Sequence, residues 1–204
     1  MRREFDIIGV VQGVGFRPAV FRAAKDAGLS GWIQNRAGSV RLVLQGADCD
    51  VSGFIKTLSQ HVPTNARIDK VSELPVQPDS EELNDFLIKE SVSGDVQRAV
   101  IPADLAMCDE CRAEIFDPSG RRYLYPFTTC TQCGPRYTVI KNLPYDRERT
   151  TMDVFPMCAK CRAEYDNPLD RRFHAESIAC PECGPELWIE DSIGRRNCEN
   201  PLLE

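Results

Sequence analysis

Eight of the ten cysteines lie in Cys-x-x-Cys pairs, and these pairs belong to two copies of one longer sequence pattern. Each copy places eighteen residues between its two pairs, and the second copy follows the first by fifty residues. The cysteines of the first copy are Cys108, Cys111, Cys130 and Cys133, and those of the second are Cys158, Cys161, Cys180 and Cys183. An Arg-Ala-Glu run, an Arg-Arg doublet and a Gly-Pro dipeptide recur as well. This regularity indicates an internal duplication of one unit.

The duplicated spacing predicts two metal sites. Two cysteines three positions apart on a tight turn direct both sulfur atoms to one point, and two such turns complete the tetrahedron that structural Zn²⁺ prefers. Because four thiolates leave no position open for water or substrate, each site is predicted to be structural rather than catalytic. The simplest grouping keeps the four cysteines of each copy together, although the two copies could also exchange pairs. Disulfides and an iron centre are the alternatives to zinc.

A glycine-containing loop between a predicted strand and a predicted helix is the second feature that could carry chemistry. The loop consists of Gln12, Gly13, Val14, Gly15, Phe16 and Arg17. Glycines let successive backbone N–H groups turn inward toward an anion, and the helix that follows adds its positive end. Arg17 begins that helix, where its guanidinium can give a phosphate two parallel hydrogen bonds. The alternative is a tight turn that binds nothing.

Asn35 is the third candidate. It ends the predicted strand that contains Trp32, and a βαββ arrangement can bring the end of that strand beside the loop. The side-chain amide of Asn35 could hold a water molecule there. Its alternative role is that of a turn residue capping the hairpin.

The elements that must position these residues are predicted from hydrophobic spacing before residue 90. We predict a strand over 4–11, a helix from Pro18 to Gly28, strands over 31–35 and 39–44, a second helix capped by Asp50, and one or two strands between 68 and 88. The order βαββαβ is that of an α+β ferredoxin-like sandwich, with helices on one face of an antiparallel sheet.

The predicted organisation has six segments. They are an α+β domain (1–91), a linker (92–106), a first four-cysteine zinc-finger unit (107–140), a connector (141–156), a second four-cysteine zinc-finger unit (157–190) and a tail (191–204). No periodic segment is expected after Pro185, and the tail has the appearance of a cut before further domains. Of the two remaining cysteines, Cys49 is expected to flank the second helix and Cys198 to lie in the tail.

Composition narrows the class of protein. The chain has 31 acidic and 25 basic residues, a net charge of -6, which argues against a nucleic-acid partner because phosphate backbones select for clustered positive charge. No apolar run is long enough to span a membrane, and the first residues lack a signal-peptide pattern. We therefore expect a cytoplasmic protein with reduced cysteines and no membrane partner.

The run from Gly9 to Arg17, together with that from Gly31 to Asn35, resembles the acylphosphatase signature over roughly the first ninety residues. The resemblance implies that the loop amides and Arg17 hold a phosphate and that Asn35 orients the attacking water. Only two histidines are present, and neither is near the loop in sequence. An acyl phosphate has a good leaving group, so positioning and charge stabilisation can suffice.

Motifs farther along extend the resemblance over nearly the whole chain. The motifs are 102–108, 121–127, 130–136 and 171–175, and they are similar to the N-terminal part of the HypF carbamoyltransferases, which mature [NiFe] hydrogenases. The resemblance implies that the substrate is carbamoyl phosphate, split here to carbamate and phosphate, and that two structural Zn²⁺ ions are bound. It also implies downstream YrdC-like and Kae1-like domains, absent from this chain, which use ATP and pass the carbamoyl group to HypE for synthesis of cyanide ligands.

A function from another class competes with this one. The chain could be a zinc-ribbon adaptor for protein or RNA whose acylphosphatase-like domain is inactive. Arg17 and Asn35 favour the hydrolase, and the acidic balance disfavours RNA. His174 is expected to be a packed or solvated side chain, since four thiolates already complete each metal site.

Overall fold

The computed structural model describes residues 1–76, 83–92 and 100–196. Residues 93–99 of the predicted linker, the end of the predicted tail and Cys198 therefore lie outside the described residues. None of the helices in these ranges is both long and apolar enough to cross a membrane.

A five-stranded mixed sheet with two helices forms the first part of the chain, and the predicted α+β class is confirmed. The strands are β1 (Arg2–Val10), β2 (Ser30–Arg36), β3 (Ser39–Gln45), β4 (Arg67–Leu74) and β5 (Phe86–Val92), in the spatial order β4-β1-β3-β2-β5. The helices are α1 (Phe16–Asp26) and α2 (Asp48–His61). Both contribute to one apolar core with the sheet.

The sheet extends the sequence prediction in one respect and corrects it in another. The one or two strands expected between 68 and 88 are two, and they lie at opposite edges of the sheet. The second of them, β5, runs parallel to β2, so the sheet is not purely antiparallel. Side-chain alternation indicates which residues of a strand face the core, but it does not indicate the neighbour or direction of the strand.

The start of α2 also differs from the prediction. The helix begins at Asp48, so Asp50 lies inside the first turn instead of capping it. Cys49 lies in that same turn with an exposed side chain, so it belongs to the helix rather than flanking it. An acidic residue in the first turn is favourable in either position because it faces the positive end of the helix dipole.

Two similar units, called here the first finger (107–140) and the second finger (157–190), follow. Each places a short helix directly after its first cysteine: α3 (Asp109–Ile115) and α4 (Ala159–Asp166). The connector between them contains two 3₁₀ turns, Arg147–Arg149 and Thr151–Val154. A hairpin of β6 (Ile189–Asp191) and β7 (Gly194–Arg196) follows, although no regular element was expected after Pro185. Three-residue strands are too short to produce a recognisable alternation.

Candidate functional site

The loop between β1 and α1 turns through two glycines in the left-handed region. Gly13 has φ 68° and Gly15 has φ 73°, a conformation that residues with a Cβ adopt only at a cost. Among the described residues, no acceptor is found for the backbone N–H groups of Gly13, Val14 and Gly15. The first turn of α1 begins at Phe16 and leaves further amides without helical partners. The loop therefore presents a row of unbonded donors.

Arg17 is buried at the start of α1, with 7 % of its surface exposed. Its Nη2 lies 3.2 Å from Asp146 Oδ1 and 3.3 Å from Glu176 Oε1. Its Nη1 donates to the hydroxyl of Ser91 on β5 at 3.4 Å. The guanidinium thus joins the α1 start to the connector and to the second finger.

Glu176 is a buried residue of the second finger, and its carboxylate contacts Arg17 at the end of the loop. Besides Arg17, it accepts hydrogen bonds from the backbone N–H of Arg147 at 3.0 Å and from the hydroxyl of Tyr165 at 2.9 Å. Burial raises the pKa of Glu176 to about 7, although the charge of Arg17 acts in the opposite direction. This carboxyl group consequently changes charge near neutral pH.

Gln12 ties the loop to the β2–β3 hairpin. Its Nε2 donates to the carbonyl of Arg36 at 2.6 Å and to that of Ser39 at 3.1 Å, while its Oε1 accepts from the backbone N–H of Tyr145. Asn35 lies next to Arg36 and is fully buried. Neither polar atom of the Asn35 side chain has a hydrogen-bond partner among the described residues. A buried polar group without a partner is costly, which makes Asn35 a candidate for contact with a polar ligand or water.

The first finger covers the loop. Arg136, 2 % exposed, donates through Nε to the carbonyl of Gly13. Its two Nη atoms donate to carbonyls of its own finger, those of Cys130, Thr131, Cys133 and Pro135. A Cβ at Gly15 would lie 3.1 Å from the side chain of Thr131. Finger and loop are therefore in direct contact.

A small, partly open cavity lies between the loop and the fingers, lined by Gly13, Gly15, Arg17, Thr131, His174 and Glu176 among others. Its volume of about 20 Å³ accommodates one water molecule. Val14 and Asn35 do not line it. A larger open groove adjoins it and shares Arg17 and His174 with it. Arg17 therefore also faces the larger groove.

His174 packs beside this site and does not join a metal cluster. Its ring lies 5.1 Å from that of Tyr165 and 4.6 Å from that of Phe173, between ring centroids. Burial, with a further contribution from the charge of Arg17, lowers the pKa of His174 to about 3. The imidazole is therefore neutral at physiological pH, in agreement with its predicted role as a packed side chain.

The eight paired cysteines form two clusters, each containing the four cysteines of one copy. This settles the grouping as local. Within each cluster the sulfur atoms lie within 4.8 Å of one another, and hydrogen-bond-range pairs such as Cys108–Cys130 and Cys180–Cys183 are 3.7 and 3.6 Å apart. A tetrahedron with metal–sulfur bonds of about 2.3 Å has sulfur–sulfur edges of about 3.8 Å, so the clusters fit such an ion. No disulfide joins any of the eight in this structure, which favours a metal site over the disulfide alternative.

Sequence reasoning did not find three residues of this site: Arg136, Asp146 and Glu176. Asp146 and Glu176 lie 129 and 159 positions from Arg17. The sequence did contain one indication of two of these residues, because they differ between the two copies. Arg136 corresponds to Glu186 in the second copy, and Glu176 corresponds to Pro126 in the first. Residues that differ between duplicated units are candidates for contacts that only one unit makes.

Two family models match the chain. The acylphosphatase model matches residues 3–88, and the HypF finger model matches twice, at residues 107–140 and 157–190.

Curated relatives carry the same two names. A probable carbamoyltransferase HypF of Methanocaldococcus jannaschii is 46% identical over 149 residues, which cover 72% of this chain and 19% of that protein. The carbamoyltransferase HypF of Synechocystis sp. is 46% identical with the same coverage. An acylphosphatase of Mannheimia succiniciproducens is 39% identical over 74 residues, which cover 36% of this chain and 81% of that protein. The chain thus spans about a fifth of the length of its HypF relatives.

Solved structures agree with these matches. A full-length HypF in a phosphate- and nucleotide-bound form superposes with a TM-score of 0.87 at 39% identity, covering 98% of this chain and 26% of that one. A HypF of T. kodakarensis superposes with a TM-score of 0.83 at 43% identity, covering 100% of this chain and 26% of that one.

Proposed function

This chain belongs to the acylphosphatase family and corresponds to the N-terminal part of HypF carbamoyltransferases, and on that premise we propose that it hydrolyses carbamoyl phosphate to carbamate and phosphate. The observation that carries the proposal is a buried arginine at the end of a loop whose amides have no protein acceptor among the described residues. Such a loop at a helix N-terminus is suited to a phosphate group.

Each group of the site has one task in this reaction. The amides from Gly13 to Phe16 and the guanidinium of Arg17 bind the phosphoryl oxygens and stabilise the charge that develops on them. Asn35 holds the attacking water through its side-chain amide, and the lack of a partner for that amide among the described residues supports this role. The water oxygen forms a bond to phosphorus as the bond from phosphorus to the carbamoyl oxygen breaks. Carbamate leaves, and the proton of the water passes to a phosphoryl oxygen.

The substrate must compete with two carboxylates for Arg17. The cavity beside Arg17 has a volume of about 20 Å³, which holds a water molecule but not an acyl phosphate. Binding therefore requires that Asp146 and Glu176 release the guanidinium toward the open groove. A protonated Glu176 has a weaker hold on Arg17 than an ionised one.

In this proposal the two fingers each hold one structural Zn²⁺ and form the cover of the loop. The ion supplies rigidity to its finger, since ligand binding in a small cysteine-rich unit stabilises the folded state. Further YrdC-like and Kae1-like domains of the longer protein would use ATP and the released carbamate to carbamoylate HypE. The chain described here would perform only the first step, in the cytoplasm.

The test is release of phosphate from carbamoyl phosphate and from acetyl phosphate by the chain and two variants. Arg17→Ala should lower kcat/KM by about 10²–10³-fold, the usual effect of removing one donor that stabilises the transition state. Asn35→Ala should lower kcat by about 10²-fold with a smaller effect on KM, since it misplaces the water rather than the phosphate.

Two matched variants serve as controls. Arg22→Ala removes another arginine of α1, which bonds to the carbonyl of Pro168. Gln34→Ala removes the neighbour of Asn35 in sequence; the partly exposed side chain of Gln34 bonds to the carbonyl of Glu90. Both should retain activity close to that of the unaltered chain. Equal activity in all five proteins, or no release above the spontaneous rate, would refute the assignment of the site.

A further inference from the structure

The two arginine doublets of the fingers cross to the opposite finger. Arg121 and Arg122 belong to the first finger, and Arg171 and Arg172 are their equivalents fifty positions later in the second. A basic doublet ordinarily lies on a solvated surface or pairs with an acid nearby in sequence. Here Arg122 and Arg172 are 0% and 4% exposed, and both doublets contact residues of the other metal cluster.

The first doublet contacts the second cluster at Cys161. Arg121 donates to Cys161 Sγ through both Nη atoms, at 3.5 and 3.4 Å, and Arg122 donates through Nη2 at 3.5 Å. Glu164, one turn later on α4, accepts from Arg121 at 2.6 Å and from Arg122 at 2.5 Å. The carboxylate holds both guanidinium groups against the cysteine.

The second doublet makes corresponding contacts with the first cluster, although only one of its arginines bonds to the cysteine. Arg171 Nη1 donates to Cys111 Sγ at 2.9 Å. Glu114, the equivalent of Glu164, accepts from both Arg171 and Arg172. The crossing is therefore reciprocal.

Backbone contacts follow the same reciprocal pattern. Arg122 Nε donates to the carbonyl of Ala179 at 2.8 Å, and Arg172 Nε donates to the carbonyl of Thr129 at 2.9 Å. Ala179 and Thr129 each precede the third cysteine of the opposite cluster. Each doublet thus touches both cysteine pairs of the other finger: the helical pair through sulfur, and the second pair through the adjoining carbonyl.

The negative charge of a metal-bound four-thiolate cluster requires positively charged hydrogen-bond donors nearby. Four thiolates and one divalent ion carry a net charge of about −2, and Cys111 and Cys161 are completely buried. A buried anion is stable only when it is paired and hydrogen-bonded, and a guanidinium supplies both the charge and several donors. In each finger that cation comes from the other finger.

We propose that the arginine doublet of each finger is the outer shell of the opposite finger's metal site, so that neither cluster reaches full affinity unless the other finger is folded. The two fingers are then one metal-binding unit with two ions, not two independent modules. This inference is separate from the hydrolytic reaction and does not depend on it.

The test uses the full chain loaded with Zn²⁺ and challenged by a competing chelator. Cysteines that lose their ion are labelled with an alkylating reagent and located by mass spectrometry. The double variant Arg121→Gln/Arg122→Gln should weaken the ion held by Cys158, Cys161, Cys180 and Cys183 by roughly 10–100-fold, the usual effect of losing outer-shell partners. The cysteines of the first finger should become reactive later.

A second double variant, in the second finger, tests whether the effect always appears in the finger opposite to the substitution. Arg171→Gln/Arg172→Gln should expose the cysteines of the first finger before those of the second. The matched control is Arg112→Gln/Arg162→Gln, which removes exposed arginines that directly follow Cys111 and Cys161 in sequence. The control should leave both ions bound as in the unaltered chain.

Two further readouts separate an outer-shell role from general support of the fold. In Co²⁺-loaded protein, the thiolate-to-metal charge-transfer band of the opposite finger should shift, because a hydrogen bond changes the donor strength of a thiolate. Arg121→Lys/Arg122→Lys, which keeps the charge, should restore part of the affinity. Earlier loss from the variant's own finger, or equal loss from both fingers, would overturn the proposal.

Discussion

At the scale of single residues, the site depends on one cation that two carboxylates share. Arg17 contacts Asp146 and Glu176 in the same hydrogen-bond range, and both acids come from parts of the chain far along the sequence. The pKa of Glu176, raised to about 7 by burial, makes this arrangement sensitive to pH. In the proposed reaction, phosphate and ionised Glu176 are therefore alternative partners of one guanidinium.

We expect the affinity for carbamoyl phosphate to fall as pH rises through about 7. Below that value Glu176 is protonated and holds Arg17 weakly, and above it the carboxylate competes with the substrate. KM measured from pH 6 to 8 should rise by roughly tenfold, which corresponds to about 1.4 kcal/mol. Glu176→Gln should remove this dependence, whereas Glu182→Gln, a change of an exposed glutamate, should retain it. A KM that rises equally in all three proteins would contradict the role of Glu176.

The stability of the fold supplies an independent check of the same pKa. A buried carboxyl whose pKa lies above its unfolded value near 4.5 binds more protons in the folded state between about 4.5 and 7. The contribution of Glu176 to the free energy of unfolding should therefore decrease as pH rises through that window. Denaturant unfolding of the Glu176→Gln variant should lack this contribution.

Part of this site was accessible from the sequence, and part was not. The loop and Arg17 could be proposed from their order between a strand and a helix, because a strand, a loop and a helix start are local features. Asp146 and Glu176 could not, because their proximity to Arg17 depends on how the fingers dock. The roles predicted for the loop, Arg17 and Asn35 remain predictions.

At the scale of elements, the two copies of the finger have some residues in common and others that differ, and the two groups of residues have different roles. Positions that are identical in both copies form the clusters and the crossed arginine contacts. Three residues that contact the loop or Arg17 differ between the copies: Arg136 has Glu186 as its equivalent, Thr131 has Pro181, and Glu176 has Pro126. The residues that the two copies share therefore account for the two cysteine clusters. The residues that differ between the copies account for the contacts of the fingers with the first domain.

The contact of Arg136 with the loop between β1 and α1 can be tested by mutation. Arg136→Ala would leave the Gly13 carbonyl and four carbonyls of the finger without their buried donor, and we expect a loss of about 3 kcal/mol in the free energy of unfolding. Limited proteolysis should then cut near the loop sooner. Arg67→Ala is the control, because its pair with Asp69 is exposed and worth little. An unfolding midpoint equal to that control would show that the contact does not couple loop and finger.

The strands and helices of the first domain were largely predictable, whereas their pairing was not. Hydrophobic alternation and helical spacing are local properties, so β1, α1 and the β2–β3 hairpin follow from the residues. The parallel placement of β5 beside β2 is a tertiary choice that no local pattern specifies.

At the scale of the whole molecule, the first domain has its own core although the fingers are docked on it. The buried apolar cluster of the sheet and helices is drawn entirely from residues between Phe5 and Phe86. The contacts to the fingers are different in kind: the rings of Phe21 and Phe173 at 5.6 Å, and single hydrogen bonds such as that of Asn65 to the carbonyl of Gln132. Docking adds hydrogen bonds, an aromatic contact and coverage to a core that the first domain forms by itself.

A fragment of residues 1–92 should therefore fold without the fingers. We expect it to unfold cooperatively in denaturant, with a lower midpoint than the full chain, because Arg136 and Phe173 no longer cover the loop and α1. The fragment also lacks Asp146 and Glu176. In the full chain we expect the phosphate affinity to fall near pH 7 by more than the ionisation of phosphate itself explains. The fragment should not show this additional fall. Near-ultraviolet circular dichroism and calorimetric titration with phosphate measure the two properties. A non-cooperative transition would mean that the fingers complete the core, and a pH response identical to that of the full chain would mean that the competing group lies within the first domain.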